Sequence, residues 1–249
     1  METGLVGKVA VVSGGSGPIG RAIALRFSAE GAAVAVTWRF GEDRAAEVVD
    51  SIVRGGGRAR AVQLDQRDRR AARAALEQVR QTLGVVSVLV ASAVDRTNPE
   101  LEEIEGLADS LSANTVGTAG LIDAALPDMR AAKWGRVVIL STDIVGQPLV
   151  GALPYAAAKA ALETTARVLA VREARHGIFT NVVRPGVTLT DRALEFALPV
   201  VEKETAHSPT GRICTPEDVA SAVTYLGSAA NGHINGQVLS VAGGRELVR

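Results

Sequence analysis

Short runs of apolar, largely β-branched residues alternate with longer Ala-rich stretches at helical spacing from one end of the chain to the other. Apolar runs with no polar alternation suit strands buried on both faces, as in a parallel sheet covered by helices. The pattern predicts strands over Val9–Ser13, Ala33–Thr37, Arg60–Leu64, Val86–Ala91, Arg136–Ser141, Phe179–Val183 and Gln237–Val241. It predicts helices over Ile19–Glu30, Glu42–Arg54, Asp68–Leu83, a long Leu107–Met129, Tyr155–Arg175 and Pro216–Gly227. Seven strands with helical crossovers define an α/β fold: a doubly wound parallel sheet in one domain, residues 1–249. Gly55-Gly56-Gly57 reads as a helix cap and turn. The segment 188–209 breaks the rhythm after the sixth strand. Material there borders the ligand crevice of an open α/β sheet, so it is a candidate substrate lid. Its Leu194, Phe196, Leu198, Val200 and Val201 suit an apolar ligand better than a sugar, although apolar lid residues also pack onto the body.

The 249 residues, 47% hydrophobic and 22% charged, suffice for a sizeable core, which excludes intrinsic disorder. Lys plus Arg and Asp plus Glu each total 27, so neither nucleic acid nor a membrane surface is an expected partner. A single cysteine, Cys214, excludes an internal disulfide framework and a Cys-based zinc site, and no metal is expected. No apolar run approaches the roughly 20 residues of a membrane span. Met1–Lys8 lacks the pattern of a signal peptide. The expectation is a soluble cytoplasmic protein.

Candidate chemistry begins after the first strand, at Ser13-Gly14-Gly15-Ser16-Gly17-Pro18-Ile19-Gly20. A glycine-rich turn into a helix lets backbone and helix dipole approach a pyrophosphate, although a tight strand-to-helix turn alone also uses glycine. The second strand ends Thr37-Trp38-Arg39, with no acid before Glu42. An acid there would favour NAD; an Arg accommodates the 2′-phosphate of NADP, with Trp38 packing on adenine. Asp65 at the end of the third strand is a candidate acceptor for the adenine amino group or a helix cap.

Tyr155 and Lys159 stand at i and i+4, on one helix face. A nearby cation favours phenolate, which suits the phenol to exchange a proton with a carbonyl or alcohol oxygen. Thr142, thirteen residues earlier at a strand end, offers a hydroxyl to the same oxygen. Asn114, 41 residues before Tyr155, is locally unfavourable in a helix. Arg184-Pro185-Gly186-Val187-Thr188-Leu189-Thr190 leaves the sixth strand where nicotinamide would sit.

With these residues and the terminal Gly236–Gly244 run, the chain resembles the short-chain dehydrogenase/reductase family over essentially its whole length. The resemblance implies a Rossmann-type sheet, NADP(H) as cofactor, and a catalytic tetrad of Asn114, Thr142, Tyr155 and Lys159. Tyr155 would donate the proton, Lys159 hold the nicotinamide ribose and tune the phenol, Thr142 orient the carbonyl, and Asn114 anchor a relay water. The implied cofactor site takes Ser13, Gly14, Ser16, Gly17, Pro18 and Ile19 at the phosphates. Trp38, Arg39, Asp65, Gln66, Ser92 and Ala93 fall at adenosine and beside the fourth strand, and Tyr155, Lys159, Pro185, Gly186, Thr188 and Thr190 at nicotinamide.

The chain departs from the family pattern at four places. Pro18 replaces a loop glycine and removes one N–H; Ala91-Ser92-Ala93-Val94 replaces Asn-Asn-Ala-Gly; Thr142 replaces serine; Ala242 replaces an aspartate. Among relatives it looks most like 3-oxoacyl-(acyl-carrier-protein) reductases and discrete polyketide ketoreductases, where basic residues dock an acyl carrier protein. Lys133 and His176 match those positions, with Arg130 and Arg175 close by, although such charges also complement helix dipoles. The resemblance further implies a homotetramer built partly through the Leu107–Met129 and Tyr155–Arg175 helices. Two other readings stand beside ketone reduction: oxidation of a steroid, sugar or other secondary alcohol, and a non-catalytic dinucleotide-binding regulatory protein.

Overall fold

The computed structural model describes residues 2–95, 103–147, 149–190, 194 and 198–248. Seven strands form one sheet: β1 (Val9–Ser13), β2 (Ala33–Trp38), β3 (Ala59–Gln63), β4 (Val86–Ala91), β5 (Gly135–Leu140), β6 (Ile178–Pro185) and β7 (Val238–Val241). Their order is β3-β2-β1-β4-β5-β6-β7, parallel throughout. The central strands β1 and β5 are buried at every position, Arg136 of β5 included, whose guanidinium donates to the Asn231 carbonyl, whereas edge strands β3 and β7 keep partly exposed side chains.

Alternation along the strands feeds two cores. Val9 and Val11 of β1 and Val137 and Ile139 of β5 join Ala72, Leu76, Leu121 and Leu162 from α3 (Arg69–Thr82), α5 (Gly117–Ala132) and α6 (Leu153–Glu173). Ala10, Val12, Val138 and Leu140 face the other way, against Ile23, Phe27, Val48 and Val223 from α1 (Pro18–Ala29), α2 (Glu42–Arg54) and α8 (Pro216–Leu226). Strand order reverses between β1 and β4, so the ligand crevice lies beyond the carboxyl ends of those strands.

Two elements differ from the sequence reading. The long helix is interrupted: α4 (Glu103–Ser110) runs into a π-helical turn, Leu111–Val116, before α5 begins at Gly117. The Ala113 carbonyl in that turn accepts from Gln66 Nε2 at 3.0 Å. A Cβ on Gly117 would lie 2.8 Å from the Gln66 carbonyl oxygen, so glycine permits the approach. Such turns within helices concentrate at functional sites. The second difference is α7 (Leu198–His207), a helix in the candidate lid segment to which the sequence reading assigned no element. Only Val201 on it is buried, while Leu198 and Val200 stay exposed, which explains why helical periodicity was weak there. The rest of the lid reading, Phe196 included, falls on 191–193 and 195–197, outside the described residues. Among the described residues, no helix is long and apolar enough to cross a membrane.

Candidate active site

The glycine loop leaves β1 with Gly14 at φ +65°, a left-handed conformation that disfavours side chains. A Cβ there would stand 2.7 Å from the Ala93 Cα, and one on Gly20 would stand 2.3 Å from the Gly14 carbonyl oxygen. The loop is therefore folded onto both β4 and α1. Pro18 opens α1 after an extended Gly17 cap, where its missing N–H breaks no helical bond. Ser16, Gly17 and Ile19 sit at this helix start; the glycines at 14 and 20 permit the close backbone packing that shapes the loop, and a helix N-terminus of this kind suits a dinucleotide pyrophosphate. Ser13 contributes from behind the loop. Its buried hydroxyl accepts from the N–H groups of Ser92 and Ala93, both at 3.1 Å, tying the ends of β1 and β4 together where the family's Asn pair is missing.

At the outer end of β2, Trp38 packs against the α1/α2 core, and its carbonyl accepts from Leu64. The ring stacked by Arg39 is Phe40, at 4.5 Å. The Arg39 guanidinium makes a two-pronged ion pair with Asp95, at 2.5 and 3.0 Å, while Asp65 lies 3.9 Å away. Asp65 instead accepts from the Arg67 N–H at 2.9 Å, and Asp68 caps α3. Arg67 bridges Asp95 (2.6 Å) and Asp109 (2.7 Å). Burial alone would raise the Asp95 pKa, but hydrogen bonds from Arg39 and Arg67 hold it below the ordinary carboxylate range.

The other end of the crevice is built by β5, α6 and the π turn. Asn114 is buried. Its Oδ1 accepts from the Asp95 N–H at 2.7 Å, and its Nδ2 donates to the Asp95 carbonyl at 2.8 Å and to Ser110 Oγ at 3.1 Å. Both amide hydrogens are used inside the protein, so the side chain clamps the segment after β4. Thr142 follows β5 and caps a short 3₁₀ turn, Asp143–Val145. Its hydroxyl lies 3.3 Å from Asp143 Oδ1, whose pKa burial raises.

Tyr155 stands in the first turn of α6, with Lys159 one turn on and its Nζ 5.8 Å from the phenol ring centre. Lys159 is almost fully buried and donates to the Leu140 carbonyl at 2.8 Å. Burial pulls its pKa down to about 8, which leaves it mostly protonated at neutral pH. Pro185 ends β6, and the Gly186 N–H donates to Val241. Thr188 Oγ1 donates to the Gly186 carbonyl at 2.9 Å, and the Thr190 carbonyl accepts from the Leu194 N–H.

The sequence reading missed the groups beneath this floor. Glu163, two helical turns past Tyr155 on the same face, takes both arms of Arg184 at 2.6 and 2.5 Å and also accepts from Ser141 at 2.7 Å. An acid at i+8 from the tyrosine was the available signal, but its partner comes from β6. The cationic rim needs correction too. Arg130 pairs with Glu173 at 2.8 and 2.7 Å, joining the ends of α5 and α6, and Arg172 shares that carboxylate. Arg175 Nε contacts His176 Nε2 at 3.4 Å, and Lys133, in the left-handed conformation, stays exposed. These residues precede β5 and β6, at the opposite end of the sheet from Thr142 and Tyr155.

A family profile described as enoyl-(acyl carrier protein) reductase matches residues 14–246. The 3-oxoacyl-(acyl-carrier-protein) reductase FabG of Aquifex aeolicus is 32% identical over 248 residues, 98% of this chain and 99% of that protein. The 7alpha-hydroxysteroid dehydrogenase of Clostridium sardiniense is likewise 32% identical, over 98% of this chain and 95% of its own. A crystal structure of gluconate 5-dehydrogenase from Burkholderia cenocepacia, in complex with NADP and tartrate, superposes with a TM-score of 0.86 at 26% identity, covering 98% and 97% of the two chains. With its parallel sheet, glycine loop and Tyr155/Lys159 pair, the chain belongs to the short-chain dehydrogenase/reductase family, nicotinamide-dinucleotide oxidoreductases acting on CH–OH and C=O groups.

Proposed function

We propose that this protein is an NADP(H)-dependent ketoreductase acting on a 3-oxoacyl thioester or a related biosynthetic ketone. The observation that carries the reading is the Tyr155/Lys159 pair on α6 beside the carboxyl end of β5, with the ammonium pinned to Leu140. A bound nicotinamide supplies the hydride. Tyr155 gives its phenolic proton to the substrate oxygen, and the Thr142 hydroxyl orients that oxygen. Lys159 keeps a positive charge beside the phenol, and Asn114 holds the segment after β4 in place. Gly14 and Gly20 keep the pyrophosphate cradle open, and Arg39 reaches the 2′-phosphate. The 188–209 segment serves as the substrate lid of a single 1–249 domain.

One observation favours alcohol oxidation as the second reading. Asp143, Gln147, Glu204 and Arg245 form a polar group near Thr142, with Arg245 bonded to Glu204 at 2.6 Å and to Gln147 at 3.3 Å. A hydroxylated substrate would find partners there that a plain acyl chain would not. The proposed setting is cytoplasmic and the assembly a homotetramer, with exposed Val116, Val168 and Val171 on the α5/α6 side covered by a second copy; light scattering tests this.

Initial rates over a panel of ketones with NADPH, and of secondary alcohols with NADP⁺, separate the two enzymatic readings. Tyr155→Phe lowers turnover by about 10³-fold or more while NADPH still binds. A parent protein that binds NADPH but turns over nothing in either panel would instead be a dinucleotide-binding regulator.

A further inference from the structure

No acid stands at the end of β2, yet the arginine there already holds a carboxylate, brought from beyond β4 on the far side of β1. Asp95, four residues past β4, meets the Arg39 guanidinium with both oxygens. Its backbone is held on both sides by Asn114, so the carboxylate is delivered to a fixed position. Arg67 gives Asp95 a second cation, so Asp95 keeps a partner if Arg39 turns away.

We propose that Asp95 sets the cofactor preference of this enzyme: its pair with Arg39 must open before Arg39 can hold a 2′-phosphate, whereas an unphosphorylated ribose leaves the pair intact. The inference rests on the reading of Arg39 as the 2′-phosphate residue. In an open α/β sheet a carboxylate at the end of β2 accepts from the ribose hydroxyls of NAD, and an arginine there favours NADP. Here the arginine is at that place and is already paired with a carboxylate from beyond β4. The phosphate must compete with an internal anion, and the site accepts both dinucleotides with a narrow margin between them.

Titration calorimetry with NADPH, NADH, 2′,5′-ADP and 5′-AMP tests this on the whole protein. Asp95→Asn keeps the side-chain shape and the backbone clamp. It is expected to raise the NADPH/NADH affinity ratio, and the 2′,5′-ADP/5′-AMP ratio, about tenfold. Arg39→Ala should lower both ratios to about one. If Arg39→Ala lowers them and Asp95→Asn leaves them unchanged, the Asp95 proposal falls while the 2′-phosphate reading stands. If Arg39→Ala also leaves them unchanged, both fall. Thermal melting of each variant confirms that a folded protein was measured.

Discussion

Lys159 Nζ donates to the carbonyl of Leu140 at 2.8 Å, so the ammonium that serves Tyr155 is anchored to β5 as well as to α6. Its burial has a consequence for stability. The folded pKa, about 8, lies below the 10.5 of a lysine in water, so between these values the unfolded chain binds more protons than the native protein. Stability from this group therefore rises with pH across that window, and the cost of burying the charge is fully felt below about pH 8. Relative to Lys159→Met, the parent protein should gain on the order of 1–2 kcal/mol between pH 8 and 9.5. Urea unfolding of both proteins at the two pH values measures the difference, and equal slopes would contradict it.

Glu163 accepts Arg184 and Ser141 together, joining α6, β6 and the end of β5 directly below the site. Removing one member of a buried ion pair leaves the other charge uncompensated. Glu163 is nearly fully buried, but Arg184 keeps 21% of its exposure, so Glu163→Gln should cost about 2 kcal/mol, the discounted end of that effect. Glu163→Leu combined with Arg184→Met should recover part of the loss. Denaturant midpoints for the parent, Glu163→Leu, Arg184→Met and the double variant test the coupling.

The glycine loop offers a sharper geometric test. An alanine methyl at 20 would sit 2.3 Å from the Gly14 carbonyl, forcing the loop off α1. Gly20→Ala should weaken dinucleotide affinity at least tenfold. At Gly17 the nearest atom to an added methyl is 3.4 Å away and φ is negative, so Gly17→Ala should be milder. Fluorescence titration with NADPH compares the two, and equal losses would show that the cradle geometry is not what holds the pyrophosphate.

These sites differ in how far they could be read from sequence. Gly14, Gly20, Tyr155 and Lys159 announce themselves because the constraint is local: a positive φ, a close backbone approach, or two residues one helical turn apart. The strands of the sheet interior were legible for the same reason, through largely apolar runs. Asp95 was not, because its partners Arg39 and Arg67 lie 56 and 28 residues away and meet it only when β2, β3 and β4 assemble in order 3-2-1-4. Asn114 was visible as an oddity, but the π turn that houses it was not. Its cause is the tertiary contact of Gln66 with Ala113 and Gly117, which periodicity within Leu107–Met129 does not record.

The cations at the ends of α5 and α6 divide into two kinds, and the division decides how carrier-protein docking should be tested. Arg130 holds Glu173, whose pKa it pulls down to about 2 together with Arg172. Reversing its charge would break the corner between the helices rather than probe a partner. Lys133 and Arg175 are exposed and can be reversed without disturbing that pair. Both precede strands whose carboxyl ends carry the site, and six residues of β5 separate Lys133 from Thr142 by about 20 Å. In the proposed homotetramer, a carrier docked there would serve the site of a neighbouring copy. Lys133→Glu with Arg175→Glu should raise the Michaelis constant for a carrier-bound ketone about tenfold and leave that for a small thioester within twofold. Adding Val168→Glu and Val171→Glu on the exposed face of α6 should dissociate the proposed homotetramer and abolish this selectivity. Selectivity that survives in the monomer would show docking within one subunit, and no effect of the double reversal would remove these cations from carrier recognition.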